Sequence, residues 1–158
     1  MRFAIASLLF LLAGCSPGML DYTDRIDDTN YNITRTDSQS HWLYPNADCG
    51  NGCPSISSDV VKYRSNKSAI AVRRQVVKLY FCDGPMVTSQ RLNSYQQYVI
   101  LLRSNRLVGP MSSAAYLTFV KENPVEMAGI DLLSEKDRID GNGAPLNSID
   151  HCRNAKPA

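Results

Sequence analysis

The sequence has no apolar stretch long enough to cross a membrane, and it has few of the residues on which catalysis most often depends. Its uncharged apolar run from Phe3 to Ala13 falls well short of the roughly 20 residues that a transmembrane helix needs. It has only two histidines, His41 and His151, and neither belongs to a motif with a fixed partner. Nucleophile-elbow, H-E-x-x-H and phosphate-loop motifs are also missing. These absences argue against a permanent membrane span and against an enzyme.

Charge of either sign is almost balanced. The 158 residues include 17 lysines and arginines and 15 aspartates and glutamates. A near-neutral chain gives no electrostatic reason to expect nucleic acid as a partner. The length beyond residue 14 suits one compact domain.

The N-terminus does have a recognisable organisation. Arg2 precedes the apolar run, which ends in Leu12-Ala13-Gly14-Cys15, the order of charge, apolar segment and small residues that export signals have. These residues resemble the lipobox of bacterial lipoproteins. The resemblance implies that residues 1–14 are a signal peptide, that the chain is cut after Gly14, and that Cys15 carries palmitate-type acyl chains.

The residue after the cysteine bears on location. Ser16 stands where an aspartate would mark retention at the inner membrane in the family's sorting rule. The resemblance therefore implies an anchor in the outer membrane with the domain facing the periplasm, and the inner membrane or the cell surface are the alternatives. Two or three acyl chains hold a protein stably at a bilayer, whereas one does not.

Four cysteines remain once Cys15 is set aside, and an even number in an exported chain predicts two disulfides. They are Cys49, Cys53, Cys82 and Cys152. Three pairings are open. Gly50-Asn51-Gly52 is flexible enough to close a small ring between Cys49 and Cys53, which favours that pair and leaves Cys82 for Cys152. The alternative is a zinc site in which Cys49 and Cys53 supply two thiolates and Cys82, Cys152 or His151 completes the ligands, but the spacing lacks a second short cysteine pair.

The body predicts an α+β fold, with a small antiparallel sheet, one or two helices packed on it and disulfide staples. Residues 15–30 are expected to be a lipidated flexible tether, residues 31–133 the globular domain, and residues 134–158 a polar tail tied by Cys152.

Two features locate elements of that fold. The apolar run from Tyr95 to Arg103 predicts a central strand, with a turn at Ser104-Asn105. After Gly109-Pro110, Ser112 or Ser113 is expected to cap a helix that ends near Asn123. The segment from Tyr98 to Phe119 also resembles small uncharacterised bacterial lipoproteins, a resemblance that implies no activity.

A block of positive charge stands out between Asp59 and Asp83, where six basic residues occur with no acid among them. They are Lys62, Arg64, Lys67, Arg73, Arg74 and Lys78. Such a block suits binding of an anionic partner, either lipid phosphates or an acidic protein. The alternative is that they are simply the solvent-facing residues of strands and loop ends.

Together these features predict a lipid-anchored periplasmic binding protein without catalysis, cofactor or metal. One form of it is an immunity or exclusion lipoprotein that binds and neutralises a protein partner. The alternative is a structural or accessory lipoprotein of an outer-membrane assembly or secretion machine. His41, in a strand-like aromatic segment, is expected to be structural.

Overall fold

The computed structural model describes residues 22–35, 41–49, 52–57, 59–81, 87–133 and 156–157. In these ranges the chain forms eight β-strands, one α-helix and one 3-10 turn. The strands are β1 (Tyr22–Arg25), β2 (Tyr31–Arg35), β3 (His41–Pro45), β4 (Val60–Ser65), β5 (Ala69–Phe81), β6 (Val87–Leu101), β7 (Arg106–Met111) and β8 (Lys156–Pro157). Helix α1 spans Ser113–Glu122 and the 3-10 turn spans Ala47–Cys49.

The described strands belong to two antiparallel sheets. The small sheet has the order β1-β2-β3, and the large sheet has the order β4-β5-β6-β7 with β8 paired to the far end of β5. Strands β5 and β6 are the longest, and they pair with each other over more residues than any other two strands of the large sheet. Their β-branched and aromatic residues favour extended backbone, which explains why the sheet is built around them.

The large sheet lies between two apolar layers. One of its faces packs on the small sheet, and the other packs on α1 and residues 124–133. The first core includes Tyr31, Ile33, Leu43, Ile70, Val72 and Ile100. The second includes Ala69, Ala71, Val99, Tyr116, Met127 and Leu132.

The first four residues of β5, residues 69–72, are all apolar because both faces of the strand are covered there. Ala69 and Ala71 face the helix, whereas Ile70 and Val72 face the small sheet, and all four are 0% exposed. Successive side chains of a strand point to opposite faces. A strand covered on both sides therefore needs apolar residues at every position rather than at alternate ones.

A buried ion pair links the start of β4 to β6. Arg91 Nε lies 2.7 Å from Asp59 Oδ1, and each side chain is only 7% exposed. The backbone oxygen of Asp59 also accepts a hydrogen bond from the Gln75 amide. The start of β4 is thus fastened to both β5 and β6.

Helix α1 begins and ends at residues that satisfy its terminal backbone groups. The hydroxyl of Ser112 accepts a hydrogen bond from the Ala115 amide at 3.2 Å, and Asn123 Nδ2 donates to the Phe119 carbonyl at 2.8 Å. These are the capping roles that short polar side chains fill at helix ends. The predicted helix, its Ser112 cap and its end near Asn123 are confirmed.

The predicted fold class is confirmed in its antiparallel strands, its helix and its disulfide, but the described chain is sheet-rich rather than a balanced α+β fold. The additional sheet begins inside the segment expected to be a flexible tether. There β1 pairs with β2 along its length, and Ile26 is 2% exposed in the first core. Strand pairing, rather than local sequence pattern, orders these residues.

Other expectations lie outside the described residues. These are the signal peptide, Cys15, and the tail from residue 134 to residue 155. Among the described residues, no helix is long and apolar enough to cross a membrane.

Candidate functional site

For Cys49 and Cys53 the sequence leaves two interpretations open, a disulfide and a zinc site. Cys49 and Cys53 form a disulfide, as predicted. Their sulfur atoms are bonded to each other, so they do not act as the thiolate ligands that the zinc alternative requires. Cys15, Cys82, Cys152 and His151 lie outside the described residues.

The six basic residues of the sequence block do not share one face. Lys62 is 0% exposed and lies opposite Arg73 in the β4–β5 register. The Arg73 guanidinium stacks 4.2 Å from the centroid of the Tyr95 ring. Arg74 follows Arg73 directly, so the pleat of the strand sends it to the other side of the sheet.

The remaining three basic residues separate into two regions. Lys78 is exposed on the distal half of β5, beyond a register shift between Gln75 and Val77. Arg64 lies near the end of β4, and Lys67 lies in the β4–β5 turn that follows. Strand β5 extends beyond the two cores, so its basic residues are spread along its length.

Three turns meet at one end of the two sheets, and we call this region the turn-end site. They are residues 26–30 between β1 and β2, 66–68 between β4 and β5, and 102–105 between β6 and β7. A cavity of about 320 Å³ lies among them and is lined in part by Arg25, Lys67 and Asn105. A second cavity of about 280 Å³ is lined in part by Arg25 and Arg64.

The turn-end site carries three cations drawn from two sheets. Arg25 lines both cavities and is exposed, as is Lys67. Within the described part of the chain, neither forms a salt bridge. Asp27 and Asp28 are the acids that line the same cavities. The cations therefore exceed the carboxylates, which makes this end attractive to an anionic surface.

The larger cavity has mainly polar walls, and hydrogen bonds hold the turn that carries Lys67. Tyr31 is 0% exposed beneath it, and burial raises the pKa of its phenol, which keeps that wall uncharged. Lys67 projects from a turn that Asn66 holds closed by accepting hydrogen bonds from the amides of Ser68 and Ala69 at 2.7 and 2.8 Å. The cation is thus carried on a fixed backbone.

Sequence reasoning found Arg64 and Lys67 but missed Arg25. Arg25 falls in the segment assigned to the tether, about 40 positions before its spatial neighbours. Only the antiparallel pairing of β1 with β2 brings it to the same end. No signal within the sequence block itself points to it.

His41 lies inside the protein. It is 0% exposed in β3, opposite Arg35 of β2. A side chain with no accessible surface does not reach a substrate, and this burial agrees with the structural role that the sequence favours.

A second surface was also missed by sequence reasoning. The solvent-facing side of the small sheet, which we call the outer face, alternates with the buried positions of β2 and β3. It consists of Thr23, Arg25, Asn32, Thr34, Trp42 and Tyr44. Trp42 is 41% exposed on it. The alternation of Ile33 and Leu43 with polar or aromatic neighbours is the signal that would have identified this face.

Comparison of the chain with protein-family models, curated proteins and solved structures gives no significant match.

Proposed function

We propose that this protein is a lipid-anchored binding protein of the bacterial envelope, which acts without catalysis by occupying an acidic protein partner. The observation that carries the proposal is the convergence of Arg25, Arg64 and Lys67 at the turn-end site. An immunity or exclusion role, in which the partner is neutralised, is its most specific form.

Cations at the ends of two strands and on an adjoining turn suit recognition of a protein. Charges at the rim of an interface accelerate encounter and select the partner, even where they add little affinity. Arg25 and Arg64 present guanidinium groups, which match carboxylates in a bidentate manner. The partner is therefore expected to offer clustered aspartates or glutamates.

The short connection between the proposed anchor at Cys15 and the first strand also supports the proposal. Six residues, 16–21, separate Cys15 from the first residue of β1, so the fully extended connection reaches at most about 25 Å. A domain held this near to a bilayer meets membrane-associated partners at a high effective concentration. Modest intrinsic affinity is then sufficient for occupancy.

The binding experiment compares three full-length proteins expressed in the envelope and recovered after crosslinking. These are the wild type, Arg25→Glu/Lys67→Glu, and the matched control Lys78→Glu/Lys121→Glu, whose exposed lysines lie away from the turn-end site. We expect recovery of the main crosslinked partner to fall about tenfold or more in the first variant. Recovery in the control should match that of the wild type.

Equal recovery with both charge-reversed variants would refute a turn-end interface. The immunity form is tested separately by deleting the gene and growing the strain with sibling cells. Wild type should restore growth, whereas Arg25→Glu/Lys67→Glu should not. If a resident component of an assembly or secretion machine is the steady partner and deletion causes no sensitivity, the accessory role replaces the immunity role.

The anchor has its own test. Cys15→Ala should abolish incorporation of labelled palmitate and should release the protein from the membrane fraction. Persistence of label and membrane association in this variant would show that the lipobox interpretation is wrong.

A further inference from the structure

The outer face of the small sheet carries aromatic, hydroxyl and amide side chains together with Arg25. Of its described side chains, none is aliphatic. Trp42 pairs directly with Thr34, and Tyr44 pairs with Asn32 in the β2–β3 register. Directly opposed side chains on one face have Cβ atoms about 5 Å apart. An indole, a phenol, an amide and two threonine hydroxyls thus share one face of the sheet with the Arg25 guanidinium.

Three hydroxyl groups on this face are joined by hydrogen bonds. Thr34 Oγ1 donates to the Tyr44 hydroxyl at 2.9 Å, and Thr23 Oγ1 lies 2.8 Å from Thr34 Oγ1. A hydroxyl has one hydrogen to donate, and that of Thr34 is already used. Because the Tyr44 hydroxyl accepts from Thr34, it keeps its own hydrogen, which it can donate to a ligand on this face.

The size of the outer face argues for a small ligand. Strands about 4.8 Å apart with a rise of about 3.4 Å per residue make a face about 15 Å across, or roughly 200 Å². A stable protein interface buries about 800 Å² on each partner. The face is therefore too small to be a protein interface by itself, but it matches two or three sugar rings laid end to end.

Five of its six side chains are uncharged, which favours a neutral ligand. Thr23, Asn32, Thr34, Trp42 and Tyr44 carry no charge, and Arg25 lies at the corner beside Asn32. An aromatic face attracts the partly positive C–H groups of a pyranose ring through its quadrupole. Hydroxyl and amide groups that both donate and accept match the hydroxyls around such a ring.

We propose that the outer face binds a neutral, β-linked glycan, with Trp42 stacked against one pyranose ring and the Tyr44 hydroxyl donating to a ring substituent. A β-1,4 linkage keeps successive rings extended, which suits a face about 15 Å across. This function is additional to the acidic protein partner, because the contacts with Trp42 and Tyr44 lie outside the turn-end site, which shares only Arg25 with the outer face. Its success or failure leaves the turn-end site untouched.

The protein itself provides the reporter for a test. Trp42 is its only tryptophan, so any change in indole emission comes from the proposed site. The full-length protein in detergent is titrated with triacetylchitotriose and cellotriose, and with maltotriose as the α-linked control. We expect a saturable emission shift with at least one β-linked trimer and about tenfold weaker binding of maltotriose.

Two variants locate the binding by calorimetry, which does not depend on the indole. Trp42→Ala should weaken binding of the preferred trimer by about tenfold or more, and Tyr44→Phe by about three- to tenfold, the range of one lost hydrogen bond. Leu117→Ala, which removes a half-exposed apolar side chain on α1, should bind as the wild type does. Circular dichroism confirms that each variant is folded.

Three outcomes would overturn the proposal. They are the absence of saturable binding to either β-linked trimer, binding that Trp42→Ala leaves unchanged, and equal affinity for the α-linked and β-linked trimers. Loss of a crosslinked envelope protein in Trp42→Ala, without any glycan binding, would show instead that the face is part of a protein interface.

Discussion

Asn66 joins the β4–β5 turn to the segment after the helix through the backbone of Glu126. Asn66 Nδ2 donates to the Glu126 carbonyl at 2.9 Å and to the Ala128 carbonyl at 3.0 Å, across 60 residues of sequence. Its Oδ1 accepts from two amides of its own turn. One side chain therefore fixes both the turn that carries Lys67 and the layer that covers the second core.

Replacing Asn66 should therefore cost more than replacing an ordinary surface asparagine. Asn66→Ala removes four hydrogen bonds, two of which join segments that are distant along the chain. At about 0.5–1.5 kcal/mol each, the loss in unfolding free energy should be about 2–6 kcal/mol. Urea denaturation measures it.

The matched control is Asn93→Ala, an exposed position in β6. Its unfolding free energy should stay within about 0.5 kcal/mol of the wild type. A second variant, Asn66→Asp, keeps the acceptor oxygen but loses both donors, so it should be destabilised as well. A stable Asn66→Asp protein would contradict the role assigned to the Nδ2 bonds.

Gly109 is required by its backbone and by its neighbours. Its φ is +126°, and a Cβ there would lie 2.7 Å from the Gln97 carbonyl oxygen and 2.9 Å from Tyr98 Cδ1. Gly109→Ala should lower the unfolding free energy by about 3 kcal/mol, because strain and a backbone clash act together. Thermal or urea unfolding of the variant provides the measurement.

Gly129 separates the two causes. Its φ is +74°, but a Cβ at this position would meet no atom of the described chain within 4 Å. Gly129→Ala should therefore show the conformational cost alone, about 1 kcal/mol. If both variants lose the same stability, close packing of Gly109 on β6 contributes nothing.

The fold was predictable where the signal is local. The Ser112 cap, the Asn123 end and the Ser104-Asn105 turn depend on residues a few positions apart, and all are found as expected. Strand β1 was not predictable, because Tyr22-Thr-Asp-Arg25 has no apolar alternation of its own. It is a strand because β2 supplies its hydrogen-bond partners.

The candidate site shows the same division. The sequence indicates a cluster of basic residues but treats nearness along the chain as nearness in space. The pleat separates Arg73 from Arg74, burial removes Lys62 from the surface, and pairing between distant strands adds Arg25. The sequence gives the number of basic residues, but tertiary structure decides which of them lie together on the surface.

Tyr116 should make the protein sensitive to alkali. Burial, followed by the negative charge of Asp131, raises the pKa of Tyr116 to about 12 from its ordinary 10.0. The unfolded chain releases this proton near pH 10 and the folded chain only near pH 12, so stability is full below pH 10 and is lost as pH rises through 12. Urea unfolding at a series of pH values measures this loss.

Tyr116→Phe isolates the contribution. The Tyr116 hydroxyl is buried without a hydrogen-bond partner among the described residues, so its removal should leave stability at pH 7 unchanged or raise it. The variant should also lose less stability than the wild type between pH 10 and 12. Tyr44→Phe, which removes a hydroxyl on the outer face, should retain the alkaline loss; an identical pH profile for Tyr116→Phe and wild type would contradict the assignment.

A second disulfide is expected between Cys82 and Cys152. Since Cys49 and Cys53 are bonded to each other and Cys15 is the proposed lipid site, Cys82 is left with Cys152. Both lie outside the described residues, but the register of β8 bears on them, because Phe81 pairs with Lys156. Cys82 follows Phe81 directly, and Cys152 precedes Lys156 by four positions. Four residues span at most about 14 Å, so Cys152 cannot be farther than this from Lys156, the partner of Phe81.

A Cys82–Cys152 bond should be visible as one crosslinked peptide in a digest made without reductant, and it should contribute more stability than the Cys49–Cys53 bond. It encloses a far longer loop, and loop entropy gives about 4 kcal/mol for the long loop against about 2 kcal/mol for the short one. Cys82→Ser/Cys152→Ser should therefore unfold at lower urea concentration than Cys49→Ser/Cys53→Ser, and the order of the two variants is the decisive result. Free thiols at Cys82 and Cys152 in the oxidised protein would refute the pairing.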